Sequence, residues 1–253
     1  MSAAAPVAAF ACVPPQLASR VWRGADLGAG ATQVLGSGWA ELDAELPGGG
    51  WPCGSLNEIL LPRSPLLEWR LLGPALRAAQ RGGSRLVVVG PPATPYLPGL
   101  QGQGIDVGQL VWVRSRDTAE SLWASEQLLR SGAALALLAW LPGCRAQALR
   151  RLQVQAGGSS AWLFVLREEP AAAEASPAPL RVRARCGAGW ELRVRLLKRR
   201  GPAHEGELCL PSLPGGLQAA LPGPPWPLPA QAPHPLSTPS RDAVGRTAGL
   251  RLA

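Results

Sequence analysis

Residues 42–60 have the sequence LDAELPGGGWPCGSLNEIL. The first residues suit a short helix, the three glycines after Pro47 suit a tight turn, and the run that begins at Ser55 suits a buried strand. An α/β core is built from repeated units of this kind, in which helices and strands alternate. The stretch therefore predicts the fold class, and the residues that follow it extend the pattern.

Strand and helix signals alternate downstream of this stretch. The predicted strands cover residues 55–61, 85–89, 109–113, 134–140 and 161–166, and the predicted helices cover residues 65–81, 117–131 and 145–156. Strands separated by helices imply parallel pairing with right-handed crossovers. We therefore predict an α/β fold with a mostly parallel sheet flanked by helices.

The end of the core has a different pattern. Two strands, 180–185 and 190–197, alternate apolar residues with arginines, which predicts a hairpin with one buried and one exposed face. A three-residue turn with a glycine bulge keeps the two faces apart and places arginines opposite each other. That arrangement costs free energy unless an anion or an acidic partner lies over the arginines.

Most of the net charge of the chain lies in this hairpin. The net charge is +8, and residues 180–200 contain eight basic side chains and one acid, Glu191. The basic residues are candidate contacts to nucleic acid or to a partner: Arg181, Arg183, Arg185, Arg193, Arg195, Lys198, Arg199 and Arg200. Two interpretations of this basic segment are open. It is either a solvated strand end or a face that binds DNA phosphates or an acidic partner.

Composition sets the expected domain limits and compartment. We predict an N-terminal arm over residues 1–35, a core over 36–203 and a Pro-rich, disordered tail over 204–253. Five scattered cysteines without CxxC spacing suit a reducing compartment, and the longest apolar run is too short to cross a membrane. A cytoplasmic location without membrane contact is expected.

The stretch from Leu42 to Leu60 resembles the entry to the core of RecA-type recombinases, in which the first strand ends in Glu and then in the phosphate loop Gly-x-x-x-x-Gly-Lys-Ser/Thr. Aligned without a gap, that loop falls on residues 61–68. The two glycines, the lysine and the magnesium-binding hydroxyl are replaced by Leu61, Leu66, Leu67 and Glu68. Phosphate binding needs the backbone freedom of the glycines and the charge of the lysine. The resemblance therefore implies a RecA-like fold with a degenerate phosphate loop.

Other carboxylates of such ATPases are also missing. The strand that resembles the family's Walker B strand ends at Trp140, and the strand over residues 86–89 is followed by Gly90 where the family has a catalytic Glu. We expect no enzymatic activity and no cofactor. The leucines at the lost loop have two interpretations, because they suit either the core or an apolar groove for a partner.

The second half of the core resembles the ImuA proteins of bacteria. The segments that carry this resemblance are Asp117–Gly132, the strand up to Pro142, Ala148–Gln153 and Leu196–Pro202. The resemblance implies a non-catalytic, RecA-like accessory protein of translesion DNA synthesis in the SOS response, acting as a protein-interaction scaffold. It also implies as partners an ImuB-like inactive Y-family polymerase homologue and an error-prone polymerase, with RecA and DNA as further contacts. The alternative is a SulA-like cell-division inhibitor that binds a cytoskeletal GTPase.

Overall fold

The computed structural model describes residues 33–63 and 67–212. In this part of the chain the strands are β1 (Val34–Leu35), β2 (Trp51–Pro52), β3 (Ser55–Leu61), β4 (Arg85–Val89), β5 (Leu110–Val113), β6 (Leu135–Trp140), β7 (Trp162–Glu168), β8 (Leu180–Cys186), β9 (Glu191–Lys198) and β10 (Leu208–Pro211). The α-helices are α1 (Ala40–Glu45), α2 (Leu67–Arg81), α3 (Leu97–Gly102), α4 (Thr118–Arg130) and α5 (Ala146–Gly157).

Eight of these strands form one sheet, in the order β10-β9-β8-β3-β7-β6-β4-β5. The strands from β8 to β5 pair in parallel, whereas β9 and β10 each run antiparallel to their neighbour. The first long strand, β3, is therefore central, and the ends of the parallel strands define a carboxyl edge and an amino edge. This arrangement confirms the predicted fold class of a mostly parallel sheet with an antiparallel hairpin.

Helices cover both faces of the sheet. One face packs against α1, α2 and α3 through one apolar cluster, and the other packs against α4 and α5 through a second. Alternation along β3 places Ile59 in the first cluster and Leu56 in the second. The parallel strands are buried on both faces, which explains why their sequences are nearly continuous apolar runs.

The glycine-rich turn before β3 holds the start of the described chain. β1 and β2 pair as a small antiparallel ribbon, in which Leu35 lies opposite Trp51. A Cβ atom on Gly50 would lie 2.6 Å from the carbonyl oxygen of Leu35, so only glycine allows this approach. The turn therefore ties the residues before α1 to the entrance of the central strand.

The hairpin has the predicted register. Arg183 lies opposite Arg195, and Arg185 lies opposite Arg193. Gly187 donates its N–H to the carbonyl of Glu191, which closes a three-residue turn. Six apolar side chains of the hairpin face the α2 side of the sheet and are buried: Leu180, Val182, Ala184, Leu192, Val194 and Leu196.

The end of the core differs from the prediction. Leu208–Pro211, inside the predicted tail, forms β10 and extends the sheet beyond β9. Proline is tolerated there because the strand lies at the sheet edge. The predicted arm over residues 1–35 also ends earlier than expected, because Val34 and Leu35 form β1 and pair with β2. Residues 1–32 of the arm and residues 213–253 of the tail lie outside the described residues. No helix in residues 33–63 and 67–212 is long and apolar enough to cross a membrane.

Candidate functional site

The degenerate phosphate loop lies at the carboxyl edge of the sheet, between β3 and α2. Leu61 ends β3 and is 6% exposed, and Leu67 begins α2 and is 2% exposed. Both belong to the apolar cluster on the α2 face of the sheet. Glu68 is also buried, and Leu66 lies outside the described residues.

Two tryptophans complete the packing at this edge. Trp69 of α2 and Trp140 at the end of β6 lie with their ring centroids 6.4 Å apart, and both side chains are buried in the same cluster. Leu61 and Leu67 are therefore core residues. These two leucines do not line an exposed groove for a partner, because side chains of the protein itself cover them. Leu66, the third leucine of that hypothesis, lies outside the described residues.

The basic hairpin carries most of its charge in ion pairs within the chain. Arg183 lies 3.5 Å from the Glu169 carboxylate, and Arg185 and Arg193 lie 3.2 and 3.6 Å from the Glu207 carboxylate. The acidic partners that the opposed arginines require are thus supplied by the segment after β7 and by the residue before β10. The field of this face is much weaker than the sequence count suggests.

Two more of the predicted contacts are also paired. Arg199 lies 2.7 Å from the carboxylate of Glu45 at the end of α1. Arg181 is only 7% exposed and lies 2.7 Å from the carboxylate of Glu58 in β3. Arg181 is therefore part of the interior and does not share the solvent-facing surface of the other arginines.

Three predicted contacts remain exposed without an acidic partner in the described part of the chain: Arg195, Lys198 and Arg200. Lys198 donates to the carbonyl of Ser176 at 3.0 Å, which leaves its charge uncompensated. Lys198 and Arg200 lie at the end of β9, where it meets the amino edge of the parallel strands. Of the eight predicted contacts, these three are exposed and have no carboxylate partner among the described residues.

A buried ion cluster holds the segment after β7, and sequence analysis missed it. Glu58 is fully buried, and its two carboxylate oxygens accept hydrogen bonds from Arg167 at 2.9 Å and from Arg181 at 2.7 Å. Arg167 also donates to Glu174 at 2.6 Å. Burial alone would lower the pKa of Arg167, but the hydrogen bonds to Glu174 and Glu58 raise it overall. Both arginines also donate to backbone carbonyls, those of Cys144, Ala171, Ala172 and Glu174.

The sequence contains a signal for this cluster. Glu58 is the one charged residue of β3, whereas Arg167 lies beyond the predicted strand over residues 161–166 and is followed by Glu168 and Glu169. A charge in a fully buried strand requires a partner of opposite sign. That rule predicts a basic partner for Glu58, but it does not identify Arg167, Arg181 or Glu174.

Arg70 of α2 forms a second anchor that the sequence does not reveal. Its guanidinium donates to the hydroxyl and carbonyl oxygens of Ser212, at 3.0 and 2.8 Å, and to the carbonyl of Trp190 at 2.9 Å. It also lies 3.6 Å from the sulfur of Cys186. The helix after the degenerate loop thus holds the hairpin tip and the end of β10.

Comparison with known proteins identifies distant relatives. No model of a protein family matches the chain. Relatives among curated proteins include Protein ImuA from two strains of Caulobacter vibrioides, NA1000 / CB15N and ATCC 19089 / CIP 103742 / CB 15. Each is 31% identical to this chain over 155 residues, which is 58% of this chain and 63% of the relative. The chain therefore spans somewhat less than two thirds of the curated relatives it matches.

Proposed function

We propose that this chain is a non-catalytic accessory protein of translesion DNA synthesis in the SOS response to DNA damage, and that it acts in the cytoplasm as a protein-interaction scaffold. The similarity to Protein ImuA over 155 residues carries the proposal. The burial of Leu61 and Leu67 at the degenerate loop supports the non-catalytic part, because both side chains belong to the apolar core.

The chemistry of the loop argues against ATP hydrolysis. A triphosphate needs unpaired backbone N–H groups, a lysine for its outer oxygens and a hydroxyl for magnesium. Leucines at positions 61 and 67 provide no charge, and the carboxylate of Glu68 would repel phosphate. Calorimetry with ATP on the purified full chain, with and without magnesium, tests this: we expect magnesium to add no heat of binding at millimolar nucleotide. Magnesium-dependent binding would contradict the non-catalytic assignment.

The proposed partners are an ImuB-like inactive Y-family polymerase homologue and an error-prone polymerase, with RecA as a third. The support is the resemblance to ImuA proteins together with a core that offers rigid surfaces in place of an active site. Co-purification of the full chain with each partner from one host tests the assignment. Recovery of none of the three would contradict the scaffold role.

A truncation places the contact on the chain. The structure favours a cut after Ser212, because Arg70 holds that residue and an earlier cut would remove β10. Partner recovery that is equal with residues 1–212 and 1–253 assigns binding to the core. Loss of recovery in the shorter chain assigns it to residues 213–253.

Cell shape separates this proposal from a SulA-like division inhibitor. An inhibitor that sequesters a cytoskeletal GTPase blocks septation when overproduced. We expect cells that overproduce this chain to divide normally, and deletion of its gene to reduce mutagenesis induced by ultraviolet light. Filamentous cells with unaltered mutagenesis would favour the inhibitor.

A further inference from the structure

A cleft opens at the amino edge of the sheet, opposite the degenerate loop. It lies where β3, β7 and β8 begin, and it has a volume of about 450 Å³. That volume falls within the range of roughly 300–1,000 Å³ that is usual for small-molecule sites. Residues that line it include Cys53, Gly54, Ser55, Ser159, Ser160 and Arg200.

The wall of the cleft is held rigidly by the backbone. Gly54 donates its N–H to the carbonyl of Ala161 at 3.0 Å, and Cys53 donates to the carbonyl of Gln33 at 2.8 Å. Gly54 has φ of 61°, and a Cβ atom there would lie 3.1 Å from the carbonyl oxygen of Ser159. The glycine thus permits the close approach of the loop between α5 and β7, and the cleft needs little rearrangement to accept a ligand.

The cleft presents hydrogen-bond donors that the described part of the chain does not use. Arg200 is exposed and has no ion pair or hydrogen bond there. The hydroxyl groups of Ser55 and Ser160 and the backbone N–H of Ser160 also have no hydrogen-bond partner within residues 33–63 and 67–212. Among the described residues that line the cleft none is acidic, and the nearby carboxylate of Glu45 is bound to Arg199.

These donors match an oxyanion. Arginine forms charge-assisted, often bidentate hydrogen bonds with phosphate. Hydroxyl and backbone N–H groups can donate to the remaining oxygens of the phosphate. We propose that this cleft binds the phosphate group of a nucleotide or of a nucleic-acid end. Arg200 supplies the charge, and Ser55 and Ser160 supply neutral donors. The site is independent of the degenerate loop and goes beyond the scaffold role.

Calorimetric titration of the full chain tests the site with three probes: inorganic phosphate, thymidine monophosphate, and a single-stranded DNA 12-mer with and without a 5′-phosphate. We expect Arg200→Ala to weaken binding of the preferred probe about tenfold or more, because a charge-assisted hydrogen bond is lost. Arg200→Lys should retain part of the affinity. Arg195→Ala is the matched control, since Arg195 is also exposed and unpaired in the described chain but lies outside the cleft.

The probes distinguish the source of the phosphate. Tighter binding of the monophosphate than of inorganic phosphate supports a nucleotide site, and tighter binding of the 5′-phosphorylated 12-mer than of its unphosphorylated twin supports a nucleic-acid end. If amide hydrogen exchange at Ser160 is slower when a probe is bound, the probe lies in the cleft. Absence of binding by all probes would overturn the proposal, as would equal affinity in Arg200→Ala and the wild type, or equal losses in Arg200→Ala and Arg195→Ala.

Discussion

Glu58 joins two strands and the segment after β7 through one carboxylate. Each of its oxygens accepts a hydrogen bond from a different buried arginine, Arg167 or Arg181. We expect Glu58→Gln to lower the free energy of unfolding by about 3–5 kcal/mol, because Arg181 loses its carboxylate partner and Arg167 keeps only that of the largely exposed Glu174. Urea denaturation followed by tryptophan fluorescence measures this change.

Glu168→Gln is the matched control for that substitution. Glu168 ends the neighbouring strand, and its ion pair with Arg63 joins side chains that are 47% and 90% exposed. The control should change the free energy of unfolding by less than about 1 kcal/mol, because water screens an exposed pair. Equal decreases in the free energy of unfolding of both variants would show that the buried cluster stabilises the fold no more than an exposed ion pair does.

The cysteines should differ in reactivity according to their burial. Desolvation raises the pKa of the Cys53 and Cys144 thiols, which leaves less thiolate at any given pH, whereas Cys186 and Cys209 are exposed. Of the four cysteines in the described residues, we expect iodoacetamide at pH 8 to label Cys186 and Cys209 first, and the labelling of Cys53 and Cys144 to rise only at higher pH or on unfolding. Mass spectrometry of timed samples checks the order, and early labelling of Cys53 would contradict the burial.

At the scale of elements, α2 serves as an anchor for the hairpin and β10. Arg70→Ala removes the hydrogen bonds to Ser212 and Trp190. We expect amide hydrogen exchange to accelerate about tenfold or more in residues 186–192 and 208–212 and to stay unchanged in β3 and β7, because those strands lie deeper in the sheet. Mass spectrometry of exchanged peptides measures both regions.

Arg81→Ala provides the comparison for Arg70→Ala. Arg81 ends the same helix, is exposed, and makes no ion pair or hydrogen bond in the described residues. Its removal should leave exchange in β10 unaltered. A similar acceleration in both variants would mean that α2, and not the Arg70 contacts, controls the stability of the hairpin.

The sequence predicts most of these elements because the signals are local. Buried parallel strands appear as apolar runs, and the observed bounds of β3 and β4 coincide with the predicted ones. β10 escapes prediction because Leu208–Pro211 is short and lies among prolines, so that only pairing with β9 makes it a strand. The ion pairs of the hairpin escape for a similar reason, since Glu169 and Glu207 meet the arginines only in the folded chain.

At the scale of the whole molecule, ion pairing limits how the chain can meet DNA. For single strands, the logarithm of affinity falls with the logarithm of salt concentration by about 0.7 for each phosphate neutralised. Joint replacement of Arg195, Lys198 and Arg200 by alanine should therefore reduce the salt slope by about 2. Fluorescence anisotropy of labelled single-stranded DNA, measured over a salt series, gives the slope.

A second triple variant is the matched control for this measurement. Arg183, Arg185 and Arg193 lie in the same hairpin, but the carboxylates of Glu169 and Glu207 already offset two of their three charges. Their joint replacement by alanine should therefore change the slope by no more than about 0.7, the value for one phosphate. Equal changes in the two triple variants would show that DNA displaces the internal carboxylates.

The apolar packing at the carboxyl edge has an evolutionary consequence. Enzymes keep strained or loosely packed active sites because turnover needs them, so that gains in stability often reduce activity. Leu67, Trp69 and Trp140 occupy that edge as ordinary interior residues. The non-catalytic scaffold that we propose would not be subject to this trade-off: substitutions that pack this region more tightly would raise its heat resistance without loss of the proposed role.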